Sequence, residues 1–223
     1  VSNNMIVSVS GNIDHPEELI EKYFTLKEGK IIKMQEFTKP KLNSKDITRL
    51  KESKCATFLD ISFLTPEYTH KDTAIIEIIN YILDYGNDIN LETTIRQKLG
   101  LTYSISTNNF PLQEIGVFSI KTTTNKEKTD LVVEAVLEEL KKLENLKAKE
   151  LNRAKKKIIQ AHKKINLIPF VFEEIVIQGD LLGYTEAYSN RPKYIQEATI
   201  EDIKRVMNEY FKNYLITIVE PRE

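Results

Sequence analysis

The sequence predicts an α+β fold, an antiparallel sheet with helices packed on one face. Three observations predict it. Segments with period-two apolar alternation occur as neighbours, helical periodicity comes in runs, and a block of helices precedes one last strand. The 223 residues are 41% hydrophobic and 29% charged, an ordinary globular composition, and the length allows one large domain or two small ones.

Taken in order, Met5–Ser10 reads as a six-residue strand ended by Gly11-Asn12-Ile13-Asp14. Asp14 or His15 suits the N-cap and Pro16 the first position of a helix. That helix runs to about Phe24 with Leu19, Ile20, Tyr23 and Phe24 on one face. Residues 25–46 are Lys-rich and lack a helical period, although Ile31–Phe37 has the composition of an extended segment. They read as a linker or outer segment with a domain boundary in it. Lys54–Leu64 is a strand that should bury Phe58, Ile61 and Phe63. After the turn Thr65-Pro66-Glu67-Tyr68, a helix from Lys71 to Tyr85 places Ala74, Ile75, Ile78, Ile79, Ile82 and Leu83 toward a core.

Residues 91–99 suit a short helix, and Gly100 stands where a left-handed cap is expected. Leu101–Ser106 alternates as a strand, Asn108–Glu114 reads as a loop, and Ile115–Thr122 as its hairpin partner. Asn125 or Thr129 should cap the helix 127–146, with Leu131, Ala135, Leu140 and Leu143 inward. A charged helix follows over 147–165 on the stripe Leu151, Ala154, Ile158, Ala161 and Ile165, its lysines forming a solvated face. Pro169 interrupts, a helix runs to about Leu182 and breaks at Gly183, and 186–197 forms another. Thr199-Ile-Glu-Asp has the form of a capping box for the helix 200–211, and Tyr214–Val219 closes the chain as a strand.

A net charge of −1 gives no electrostatic footprint for nucleic acid or an anionic membrane. No apolar run spans a bilayer, and nothing at the start reads as a signal peptide. The chain opens with Val1 rather than Met, the mark of an N-terminus set by cutting or by design. A lone Cys55, in an apolar stretch, rules out an internal disulfide and reads as a buried small residue, which fits a cytoplasmic setting.

Chemistry is sparse. The three histidines, His15, His70 and His162, are far apart and none is paired at helical spacing, so no catalytic zinc set exists in this chain. His15 begins a helix, and His70 and His162 read as surface residues. The seven glycines are scattered, which excludes a phosphate loop. Pairs such as Glu138–Glu139 and Glu173–Glu174 are those of a solvated helix. Arg96 and Tyr103 are the exception. A sharp helix–Gly–strand turn can aim a guanidinium fork and a phenol hydroxyl at one point, two donors suited to a peptide carbonyl or to the oxyanion formed on attack. The alternative is structural: Arg complements a helix C-terminus and Tyr favours strands.

The ordered features resemble the C-terminal half of the pitrilysin-type zinc metallopeptidases, the family of insulysin and the mitochondrial processing peptidases. Asn4–Asp14 with Glu17–Phe24 is similar to the strand–helix at the end of that family's N-terminal half. Ile95-Arg-Gln-Lys-Leu-Gly-Leu-Thr-Tyr-Ser-Ile resembles its Arg-Glu-x-x-Gly-Leu-x-Tyr segment. Glu150-Leu-Asn-Arg-Ala-Lys, Thr199-Ile-Glu-Asp-Ile and Ile216-Thr-Ile-Val-Glu-Pro resemble later elements. Gln97 departs from the usual Glu, and Leu91-Glu-Thr-Thr from the usual Ser-x-x-Leu.

The resemblance implies a strand–helix remnant of the preceding half over 1–28, a linker over 29–46 and a substrate-clamping half-domain over 47–223. It implies that Arg96 and Tyr103 bind peptide substrate, and that this chain has no cofactor, zinc being carried with a His-x-x-Glu-His motif in the missing N-terminal half. The expected partners are a peptide or unfolded polypeptide, that zinc-bearing half or subunit, and a second copy joined through the exposed strand edge. No nucleic acid or membrane is expected. The rival readings are an inactive family member serving as a structural or interaction subunit, and an unrelated α+β binding domain.

Overall fold

In the computed structural model, which describes residues 5–24, 27, 29–30, 37–42, 45–53 and 55–222, the centre of the sheet is the alternating strand β2 (Thr57–Thr65). It pairs antiparallel with β4 (Gly116–Thr124) on one side and β5 (Leu215–Pro221) on the other. The hairpin partner β3 (Ser104–Pro111) lies outside β4, and β1 (Asp46–Ser53) lies outside β5, giving five strands in the order β1-β5-β2-β4-β3. The sheet is antiparallel apart from β1, which runs parallel to β5.

One face of the sheet is buried. Leu59, Ile61 and Phe63 of β2, Phe118 and Ile120 of β4, and Ile216 and Ile218 of β5 point to it. Against them lies α2 (Asp72–Tyr85), whose Ile75, Ile78, Ile79, Ile82 and Leu83 are all buried. Each such side chain contributes about 1.5–3 kcal/mol on leaving water. The cluster extends through α3 (Thr129–Lys141), α4 (Ala148–Ile165), α6 (Thr185–Glu197) and α7 (Ile200–Tyr210). A buried carboxylate ties two of these helices. Asp72 accepts from Arg205 Nη2 at 2.6 Å and Nη1 at 2.8 Å, and from the Tyr210 hydroxyl at 3.1 Å. Burial alone would raise the Asp72 pKa, but Arg205 and Tyr210 outweigh it and hold the carboxyl below its ordinary value. The capping box at Thr199 forms as the sequence predicts, with Asp202 as its return partner.

The other sheet face is partly open. Phe58, expected to be buried, is 51% exposed, because it has the opposite parity to Ile61 and Phe63 and points away from the helices. Several other expectations change for comparable reasons. Asp46–Ser53, for which no strand is expected and of which only Asp46 falls in the linker, is a strand that finds its partner in the far C-terminal β5. Cys55 is exposed at the bend between β1 and β2. β3 starts at Ser104 and runs to Pro111, so the hairpin loop is only 112–115. Neither Asn125 nor Thr129 caps α3 with its side chain, and Leu131 is exposed, the inward face being Val132, Ala135, Val136, Glu139 and Leu140. Ala161 is exposed, and the stripe of α4 continues instead to His162, whose Nε2 meets Glu77 Oε1 at 2.9 Å.

The N-terminal strand does not form: residues 5–10 have no strand partner among the described residues. Ser10 instead donates to Glu173 at 2.5 Å, on α5 (Pro169–Leu182). α1 (Pro16–Tyr23) is helical but buries none of its residues. The extended segment expected at Ile31–Phe37 lies, except for Phe37, outside the described residues. Among the described residues, no helix is long and apolar enough to cross a membrane.

Candidate functional site

The stretch containing Arg96 begins at a tight corner after α2. A Cβ on Gly86 would meet the carbonyl oxygens of Ile82 and Ile89 at 2.4 and 2.2 Å, so only glycine fits. Two carboxylates from distant helices fasten this corner. Glu150 of α4 accepts from the Asn87 amide at 2.8 Å, and Glu139 of α3, 1% exposed, accepts from the Asn90 amide at 2.9 Å. The Asn90 side chain accepts from the Thr93 amide at 2.7 Å and donates to Asp84 C=O at 2.8 Å.

From there Glu92–Lys98 forms a π-helix rather than the expected α-helical turn. π-Helical segments are rare and concentrate at functional sites. Ile95 is fully buried, while the side chain of Arg96, the next residue, is 50% exposed. Gly100 then adopts the left-handed conformation, φ 61°, and the Leu101 amide donates back to Ile95 C=O at 3.0 Å. The exit is held as firmly as the entry. The Thr124 hydroxyl donates to Leu101 C=O at 2.5 Å, Lys128 Nζ to Gly100 C=O at 3.0 Å, and the Tyr103 amide to Thr123 C=O at 3.2 Å.

Arg96 and Tyr103 therefore project into solvent from either side of one braced turn, Tyr103 being 66% exposed. Each has its own partner. The Arg96 guanidinium pairs with Glu92 one turn earlier, and the Tyr103 hydroxyl reaches Asn125 Oδ1 at 3.5 Å. A guanidinium has five N–H donors, and Glu92 takes one of them, so Arg96 keeps donors for a further acceptor.

Sequence reasoning missed Asn90, Glu92, Asn125, Glu139 and Glu150. For Glu139 a signal existed: with Val132, Ala135, Val136, Leu140 and Leu143 it falls at core spacing, which a solvated carboxylate would not.

The three histidines lie apart. His15 starts α1, His70 bonds the Asp72 amide at 3.2 Å through Nδ1, and His162 pairs with Glu77. Among the described residues, no group of three or more His, Cys, Asp or Glu could hold an ion.

The chain is 26% identical over 219 residues to a protein named an uncharacterized zinc protease from Rickettsia bellii, covering 93% of this chain and 48% of that protein. It thus spans about half the length of the curated relatives it matches. A protease from Helicobacter pylori has the same fold at a TM-score of 0.81 and 19% identity, over 94% of this chain and 53% of that one. The peptidase M16 inactive domain from Pseudomonas fluorescens matches at 0.66 and 22% identity, over 85% and 47%. The model of the peptidase M16 inactive domain matches residues 1–158, and the chain belongs to that family of inactive peptidase domains.

Proposed function

We propose that this chain is the C-terminal, non-zinc-binding half of a zinc metalloendopeptidase and that it holds peptide substrate through Arg96 and Tyr103. The observation that carries this reading is the braced turn, in which a rare π-helix and a left-handed glycine present two hydrogen-bond donors to solvent from a backbone tied on both sides. Donors fixed in advance are worth most where charge develops on a carbonyl oxygen. In this reading Arg96 and Tyr103 bind the substrate backbone and stabilise the attacked carbonyl. The hydrolytic metal chemistry belongs to the zinc-bearing half, in the same polypeptide or another, as the name of the Rickettsia relative suggests.

The test is cleavage of an extended peptide by a zinc-bearing N-terminal half, with and without this chain. Activity that depends on the chain is the expected result. Arg96→Ala and Tyr103→Phe should then lower turnover by a factor on the order of 10², the cost of losing one such donor. Wild-type rates in both variants would remove the site assignment. Association of the halves without cleavage would favour a structural or interaction subunit, a role consistent with Arg96 already being engaged by Glu92.

A further inference from the structure

A cavity of about 300 Å³ lies between α2, α4, α6 and the end of β3, and shares no residue with the Gly100 turn. That volume is at the lower end of small-ligand pockets. Its wall contains Arg191, which is only 4% exposed. Arg191 Nη1 bonds the Thr73 hydroxyl, Nη2 donates to Tyr68 C=O at 3.1 Å, and the guanidinium lies 4.8 Å from the centre of the Tyr68 ring. All of these partners are neutral. Among the described residues, no carboxylate forms an ion pair with Arg191, although buried charges are ordinarily paired. Two of its five donors meet the Thr73 hydroxyl and Tyr68 C=O, and the Tyr68 hydroxyl also bonds the guanidinium, which leaves donors over.

The same cavity contains an acceptor. Glu77 Oε1 accepts from His162 Nε2 at 2.9 Å, and among the described residues no hydrogen bond involves its second oxygen. One small space thus combines the Arg191 cation with the Glu77 carboxylate.

We propose that this cavity binds the zwitterionic headgroup of a free α-amino acid. The carboxylate lies on the Arg191 guanidinium, and the ammonium meets the second Glu77 oxygen. An inorganic anion would satisfy Arg191 but would face Glu77. A bare ammonium would do the reverse, beside Arg191. A ligand whose carboxylate and ammonium share one carbon answers both groups. The proposal is independent of the peptidase reading, because its readout is binding to this chain alone.

Isothermal titration of the chain at pH 7 with glycine, alanine and leucine tests it, with acetate, methylamine and inorganic phosphate as controls. Saturable binding of at least one amino acid is expected, at least tenfold tighter than any control. Glu77→Gln keeps an acceptor for His162 but removes the charge, and should weaken the amino acid at least tenfold while leaving acetate unchanged. Glu77 is partly exposed, so this variant keeps the fold, which circular dichroism checks. Three outcomes would overturn the proposal: no saturable heat for any amino acid up to about 10 mM, acetate or phosphate binding as tightly as the amino acid, or amino-acid affinity unchanged in Glu77→Gln.

Discussion

Residues 86–104 and residues 5–24 are both short, both largely outside the sheet and both rich in apolar side chains, yet the molecule treats them in opposite ways. The first is bonded to three separate elements: α3 through Glu139, α4 through Glu150, and the end of β4 through Thr123 and Thr124. It also sinks Leu91 and Ile95 completely into the core. The second buries nothing in its helix and leaves Met5, Ile6, Val9, Ile13, Leu19, Tyr23 and Phe24 between 41% and 69% exposed. Amphipathic pattern is therefore not sufficient for packing. An apolar face stabilises a protein only where a complementary face exists, and for residues 5–24 none exists among the described residues.

The sharpest way to break this comparison is to cut one buried side chain in each region. Ile95→Ala should cost about 2–5 kcal/mol, the range for a buried aliphatic truncated to Ala, since Ile95 is fully buried. Leu19→Ala should stay within about 0.5 kcal/mol, as at other exposed sites. Urea denaturation followed by circular dichroism measures both, and equal losses would mean that α1 packs in solution. Next in size is Glu139→Leu. It suits the core position in shape but strips the Asn90 amide of its acceptor, at a cost of about 1–3 kcal/mol. Its thermal melt should show a clear loss, whereas Glu138→Leu, one residue away, should not. Gly100→Ala comes third. A Cβ there meets nothing within 4 Å, so the only penalty is the left-handed backbone itself, about 1–2 kcal/mol. A larger loss would mean that the turn is strained beyond its dihedral angles.

The contrast also explains how much could be read in advance. Periodicity located α2, the hairpin and the last strand, because each buries one face against the same core and the pattern records that burial. The left-handed Gly100 was legible because few other residues tolerate it. The strand at Met5–Ser10 was misjudged for the converse reason. Its alternation is genuine, but a strand needs a neighbour to bond, and alternation carries no information about whether one is present. The edge strand Asp46–Ser53 was missed because residues 46–51 are exposed throughout and give no alternation, and its partner lies at the far end of the sequence. For the site, Arg96 and Tyr103 were visible by type and spacing. Glu92 and Asn125, the groups they bond, were not, since both are polar surface residues that acquire a role only through the geometry of the turn.

The smallest expected effect concerns the far side of the braced region. Asp84, in the last turn of α2, accepts from the Thr107 amide of β3 at 3.0 Å. Burial pushes its pKa up, and the bond to Thr107 only partly offsets this. The folded protein therefore holds the Asp84 proton more tightly than the unfolded chain does, so stability falls as pH rises from the ordinary carboxylate value, about 3.9, through the folded value. Asp72 has the opposite sign: its lowered pKa contributes stability above the ordinary value that is lost as pH falls through the folded one. Asp84→Asn keeps an acceptor for Thr107 and removes the buried charge. At pH 8 it should match or exceed the wild type, by on the order of 1 kcal/mol or less, and the gap should close toward pH 4. Urea midpoints across that range decide the matter. A variant less stable than wild type at pH 8 would mean that the ionised carboxylate strengthens the bond to the β3 edge by more than its burial costs, making Asp84 part of the bracing in its charged form.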